Sequence, residues 1–208
     1  MALDEARQVR EFWFGALPMS AHELHRREQL WFATGPPELR HQRDEAIRAR
    51  FEQMIERAAH DQLASWADSP RRRLSLIILL DQFPRNIYRG TARAFAYDSQ
   101  ALSLALSGMQ SAADGALDVV ERMFFYMPLQ HAESREVQDE SVAAYRRLLT
   151  EAPQELRGAF ESGLQSAQLH RSLIEQFGRF PHRNRALGRS DTPDEEAWLR
   201  KHPQSLGQ

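Results

Sequence analysis

Cysteine is missing from this chain of 208 residues. Its absence excludes disulfides, thiolate zinc sites, iron–sulfur clusters and a cysteine nucleophile together. Lysine is nearly missing as well: Lys201 is the one lysine among 27 basic residues, so positive charge is almost all guanidinium. No apolar run approaches the ~20 residues that a membrane-crossing helix needs. The longest strongly apolar stretch is Leu74 to Leu80. The start, Met1-Ala2-Leu3-Asp4-Glu5, is acidic and promptly amphipathic, which does not fit a signal peptide. A cytoplasmic, soluble protein is the expectation, without membrane association. Walker loops, dinucleotide fingerprints and nucleophile elbows are also absent, so no cofactor is expected. No metal site is expected either. His22-Glu23-Leu24-His25 lacks the i, i+4 histidine spacing of a zinc protease helix, and His131-Ala132-Glu133 lacks the cysteines of a zinc deaminase.

Strand alternation and Asn-Gly hairpin turns are lacking too, and what takes their place is helical period. Leu3, Ala6, Val9 with Arg10, Trp13 and Phe14 form one stripe. Ser20 is a good N-cap for a second helix, which Gly35-Pro36-Pro37 ends. Leu39, Ala46, Ile47, Phe51, Met54, Ile55 and Ala58 mark a long amphipathic helix over 38–59. Ser69-Pro70 reads as a cap with proline at the first helical position. The run Leu74–Leu80 after it is apolar on every side, as a central buried helix would be. Further helices are predicted over 91–107, 116–126, 131–150 and 153–177. A last one opens on the capping box Thr192-Pro193-Asp194-Glu195. The reading is an all-α single domain, 1–208, of about eight or nine helices.

Charge is segregated along the chain. Residues 71–93 hold six Arg against Asp81 alone, and residues 170–190 hold five Arg against Glu175 alone, although the whole chain carries −2. Each basic segment contains a Phe-Pro corner: Phe83-Pro84-Arg85-Asn86, and Phe180-Pro181-His182-Arg183-Asn184. A Phe-Pro step should end a helix, with the Phe as a core plug and the following Arg and Asn left beside it. Asp81 and Arg85 fall at i, i+4 and form a structural ion pair if the helix persists that far. Pro128 suits a helix start, which places Gln130 and His131 in a first turn, where the dipole favours an anion and a neutral imidazole. His170 and Arg171 fall on the apolar stripe of the helix over 153–177, and an inward Arg needs a carboxylate or a bound anion.

The segments Phe83-Pro84-Arg85-Asn86, Phe125-Tyr126-Met127-Pro128-Leu129-Gln130-His131 and Phe177-Gly178-Arg179-Phe180-Pro181-His182-Arg183-Asn184 occur in that order and spacing. Together they resemble the mainly bacterial family catalogued as domain of unknown function 924, over about residues 9–198. The resemblance implies antiparallel helical hairpins related to tetratricopeptide proteins, with no established activity and no catalytic residues to carry over. The tetratricopeptide signature of about 34 residues is not readable, so any repeats are degenerate.

These observations point first to a protein binding an anionic small molecule or an acidic peptide. The candidate ligand-binding residues are Arg85, Asn86, Gln130, His131, His170, Arg171, Arg179, His182, Arg183 and Asn184. The alternative is an enzyme acting on a phosphorylated or carboxylated substrate, with His131, His182 or Glu133 in acid–base roles. A second alternative is a scaffold for protein or RNA. Nucleic acid is disfavoured because the aromatics beside the arginines, Phe83, Phe177 and Phe180, follow apolar helices and read as core plugs rather than stacking platforms. No feature of the sequence sets an oligomeric state.

Overall fold

The run Leu74–Leu80 is the axis of the molecule. In a computed structural model, which describes residues 4–32 and 36–202, all seven of its residues are buried. It belongs to a rod made of α4 (Pro70–Ile77), one π-helical turn (Ile78–Gln82) and α5 (Phe83–Ile87). The other helices are α1 (Glu5–Phe14), α2 (Ala21–Trp31), α3 (Pro37–Ala59), α6 (Asp98–Gln110), α7 (Val119–Phe125), α8 (Met127–Gln130), α9 (Arg135–Glu151), α10 (Arg157–Phe177) and α11 (Pro193–Lys201). Nine of these have seven or more residues, and no strand occurs among the described residues. The all-α expectation is met. Met1-Ala2-Leu3 and Gly35 of the second turn signal lie outside the described residues.

The first Phe-Pro step does not end its helix, contrary to expectation. Pro84 has no N–H for the Leu80 carbonyl, and its ring crowds that oxygen. The π turn absorbs both problems by widening the rod, so that Phe83 N–H bonds back five residues to the Ile78 carbonyl. The second Phe-Pro step behaves as expected. Gly178 caps α10 in the left-handed region (φ 71°), Phe180 is extended, and Pro181 opens a 3-10 turn over Pro181–Arg183.

α4 packs against α1, α6 and α7, while α3 lies along α5 and the π turn. An aromatic cluster welds these contacts: Phe83 meets Trp13 (5.5 Å between centroids) and Phe51 (4.8 Å), and Phe124 meets Trp13 and Trp31. Leu39 of the α3 stripe instead stands exposed. α9 and α10 form an antiparallel hairpin, because Arg135 bonds the Glu175 carbonyl, Asp139 pairs with Arg171 and Tyr145 faces Gly163. Helices gathered round a rod differ from a stack in which each hairpin touches only its neighbours. The tetratricopeptide-like part of the expectation is therefore not carried by these contacts. Among the described residues, no helix is long and apolar enough to cross a membrane.

Two glycines test this packing. A Cβ at Gly108 in α6 would lie 2.5 Å from the buried Phe125 ring, whereas one at Gly158 in α10 meets nothing within 4 Å. Gly108→Ala should therefore destabilise by about 1–3 kcal/mol, and Gly158→Ala should stabilise by about 0.5 kcal/mol. Urea unfolding of both variants checks this; a stabilised Gly108→Ala would contradict the packing of α6 on α7.

Candidate functional site

The site grows from a charge on the central rod. Asp81 is completely buried, a placement that costs several kcal/mol unless the carboxylate is partnered. The rod continues through Pro84, so Arg85 lies one turn on and reaches back. Its Nη1 donates to the Asp81 carbonyl (2.7 Å) and sits 3.2 Å from Asp81 Oδ1. The same guanidinium grips Asp98 with both ends, Nη1 to Oδ1 at 2.8 Å and Nη2 to Oδ2 at 2.9 Å. The expected ion pair is present, and Arg85 extends it to a second carboxylate. Asp98 is the first residue of α6 and also accepts from Arg183 Nη1 at 3.2 Å.

At the other end of this chain of charges, His131 Nδ1 lies 2.6 Å from Asp81 Oδ1. Burial alone would raise the Asp81 carboxyl, but Arg85 and His131 outweigh it and hold it well below the usual carboxylate range. An ionised Asp81 only accepts, so the His131 proton resides on Nδ1 and Nε2 keeps its lone pair. Burial, reinforced by the charge of Arg85, pushes the His131 imidazole below its ordinary value and keeps it neutral. Neutrality was expected, but from a helix N-terminus. His131 in fact follows the last residue of the one-turn α8, its N–H bonding the Met127 carbonyl, so the cause is burial and not the dipole. Gln138 fixes the corner by donating to the carbonyls of Leu129, Gln130 and Ala132.

Two more neutral imidazoles lie alongside. The His170 ring is 6.3 Å from that of His131, and its Nδ1 donates to the Ser166 carbonyl at 2.8 Å. The His182 ring lies tilted against Phe180, 5.5 Å between centroids. Burial first, with the charge of Arg183 acting the same way on each, pushes both down to about 3. The Arg183 guanidinium lies over the rings of both Phe95 (4.7 Å) and Phe180 (4.6 Å). Burial and then the charge of Arg85 lower it to about 10, although Asp98 acts the other way.

His131, Asp98, Glu133 and Arg183 open onto a cleft of about 400 Å³ whose remaining wall is mostly apolar, including Phe95 and Leu102. Glu133 accepts from Arg189 (2.9 Å) and from the Phe180 N–H (2.8 Å), which ties the second Phe-Pro corner over the cleft. A larger crevice of about 810 Å³ beside α2 and α3 is lined by Arg26 and Arg27, but both already pair with Glu23.

Not all of the predicted residues converge. Arg171 points outward and pairs with Asp139 and Glu175, because the buried face of α10 is centred on Ala167, His170, Leu173 and Ile174. Arg179 binds Glu195 (2.6 Å) and the Ser190 carbonyl, anchoring α11. Asn86 bonds the Gln82 carbonyl and Asn184 bonds Asp191. Gln130 faces a separate cavity of about 250 Å³ across α8, where Ser166 donates to its Oε1. Sequence reasoning missed Asp98, Phe95 and Gln138. An acid at a helix start reads as ordinary dipole complement, and nothing local marks the other two.

The family model for a bacterial protein of unknown function (DUF924) matches residues 9–203. The chain belongs to that family. A solved structure of a protein of unknown function from Agrobacterium tumefaciens is 32% identical, covers 94% of this chain and 97% of its own, and superposes with a TM-score of 0.76. The comparison with curated proteins gives no match. Family membership thus fixes the fold without supplying a reaction.

Removing Arg85 leaves Asp81 with only His131 and Gln82, and Asp98 with only Arg183. Arg85→Met should cost about 3–5 kcal/mol in urea unfolding, the scale for a buried charge left short of its partner. A loss under 1 kcal/mol (roughly the surface-pair scale) would show that the bridge is not formed. A second test uses pH. His170 and His182 take up protons near 6.5 when unfolded but only near 3 when folded. Stability is therefore undiminished above about 6.5 and falls as the pH drops from there toward 3. At pH 5 each histidine should cost up to about 2 kcal/mol. The fall in Tm between pH 7.5 and 5 should be smaller in His182→Asn than in the wild type; equal falls would contradict the placement of His182.

Proposed function

We propose that the cleft binds a small anionic molecule, phosphorylated or carboxylated, with Arg183 as the clamp. The observation that carries this reading is the unequal pairing of the two guanidiniums around Asp98. Arg85 takes both oxygens, whereas Arg183 is left with one contact at 3.2 Å; the buried Nε of each lacks an acceptor among the described residues. A cation held over two aromatic rings in a low-dielectric wall, with only one side-chain acceptor engaged, attracts a negative group. The size of the cleft, about 400 Å³, suits a small molecule better than an acidic peptide.

One observation favours a second reading, that of an enzyme. An ionised Asp81 orienting a neutral His131 that lines the cleft is the arrangement of a general base. In this reading the Arg183-bound anion is a substrate, His131 takes its proton, and Asp81 stays ionised. Glu133 and His182 are then positioning groups, since Glu133 is occupied by Arg189 and His182 lies against Phe180.

Arg183→Lys keeps the charge and discards the planar fork. Titration of the wild type with inorganic phosphate and with phenylacetate should give a saturable rise in Tm at low salt. Arg183→Lys should reduce that rise at least severalfold while leaving the ligand-free Tm within a few degrees. An undiminished rise in the variant would overturn the assignment of the clamp.

A further inference from the structure

The polar atoms facing the cleft fall into two groups, and the second defines the ligand. Asp98 is filled by Arg85 and Arg183, and Glu133 is filled by Arg189 and the Phe180 N–H. Besides the exposed hydroxyl of Ser99 at the rim, what remains open is the donor edge of Arg183 and the acceptor Nε2 of His131. His131 cannot turn to offer a donor instead, because Asp81 holds its Nδ1–H at 2.6 Å and is itself fixed by Arg85. The two open groups also stand in a fixed relation, since Asp81, Arg85 and Asp98 link them through contacts of 2.6 to 3.2 Å. The same cleft carries the apolar side chains of Phe95, Leu102, Pro128 and Leu187.

A molecule that complements this surface needs an anionic end for Arg183, an apolar body for the wall and a hydrogen-bond donor for His131. The donor must be neutral. A buried ammonium needs a carboxylate partner, and Asp98 and Glu133 are already taken by Arg85, Arg183, Arg189 and the Phe180 N–H. Charge therefore separates a hydroxy acid from an amino acid at this site.

We infer that the cleft is a site for a small hydroxy carboxylate with an apolar body, its carboxylate on Arg183 and its hydroxyl donating to His131 Nε2. This inference rests on the anion-binding reading above and adds the two parts of the ligand that the reading leaves open. It also assigns His131 as a specificity-determining residue, because a site built to accept a hydroxyl rejects the analogue that lacks one.

The test compares mandelate and 3-hydroxy-3-phenylpropanoate with phenylacetate (no hydroxyl), lactate (no aromatic body) and phenylglycine (ammonium for hydroxyl), by calorimetric titration at low salt. One of the two aromatic hydroxy acids should bind about tenfold or more tighter than each of the other three, the scale of one good hydrogen bond to a buried acceptor. His131→Asn retains a donor for Asp81 but has no acceptor at the Nε2 position. It should abolish the preference over phenylacetate. Equal binding of the hydroxy acids and phenylacetate by the wild type, or a preference that survives in His131→Asn, would overturn the inference. If phosphate and phenylacetate still bind through Arg183 in that case, the anion-binding reading stands and only the hydroxy-acid assignment falls. If no anion binds at all, both fall together.

Discussion

The guanidinium of Arg85 is the interaction on which the site depends. It is nearly buried, touches the carbonyl and carboxylate of Asp81 on its own rod, and takes Asp98 at the start of α6 with both ends. Asp81 then fixes His131, and Asp98 fixes Arg183. Four separate stretches of chain are referenced to one planar group. Such a network adds little net stability over a well-packed apolar substitute, because desolvation offsets most of the Coulombic gain. What it supplies is position: an imidazole in one tautomer and a guanidinium at one place, both facing the same cleft.

The two Phe-Pro segments prove to be complementary rather than repeated. Phe83 and Phe180 are both fully buried plugs. The arginines that follow them, one residue after the proline in the first and two after it in the second, meet on the two oxygens of Asp98. Their asparagines do the local work, with Asn86 tying the rod and Asn184 holding the loop through Asp191. Strong pairing makes Arg85 part of the scaffold, and the weaker pairing of Arg183 is what the proposed anion clamp rests on. The second segment is also held by Glu133, so the C-terminal part of the chain completes the wall of a cleft that includes Asp98 and His131.

Much of this was legible in the sequence, and the failures have physical causes. Helical period and caps gave the architecture, since Ser20 and Thr192 cap as expected. The i, i+4 spacing gave the Asp81–Arg85 pair, although it depended on the rod surviving Pro84. A single-residue propensity argument gives no sign that a π turn can absorb a proline. His170 and Arg171 were indistinguishable by spacing, because each sits three or four residues from Ala167 and Ile174. Only the position of the α9 partner decides which turns inward. Arg179 looked like a clamp because its partner, Glu195, lies a loop away in a capping box that already explained itself. Asp98 carried no signal at all, for its role comes entirely from what two distant arginines do with it.

The account turns on the state of His131. The most direct measurement is the ¹⁵N chemical shifts of its ring at neutral pH, with their long-range couplings to the ring protons. A neutral ring protonated on Nδ1 and bare at Nε2 is the predicted result, and it should be lost when Asp81 is replaced by Ala. A ring protonated on Nε2, or on both nitrogens, would mean that Asp81 does not orient it and that the cleft has no acceptor to offer.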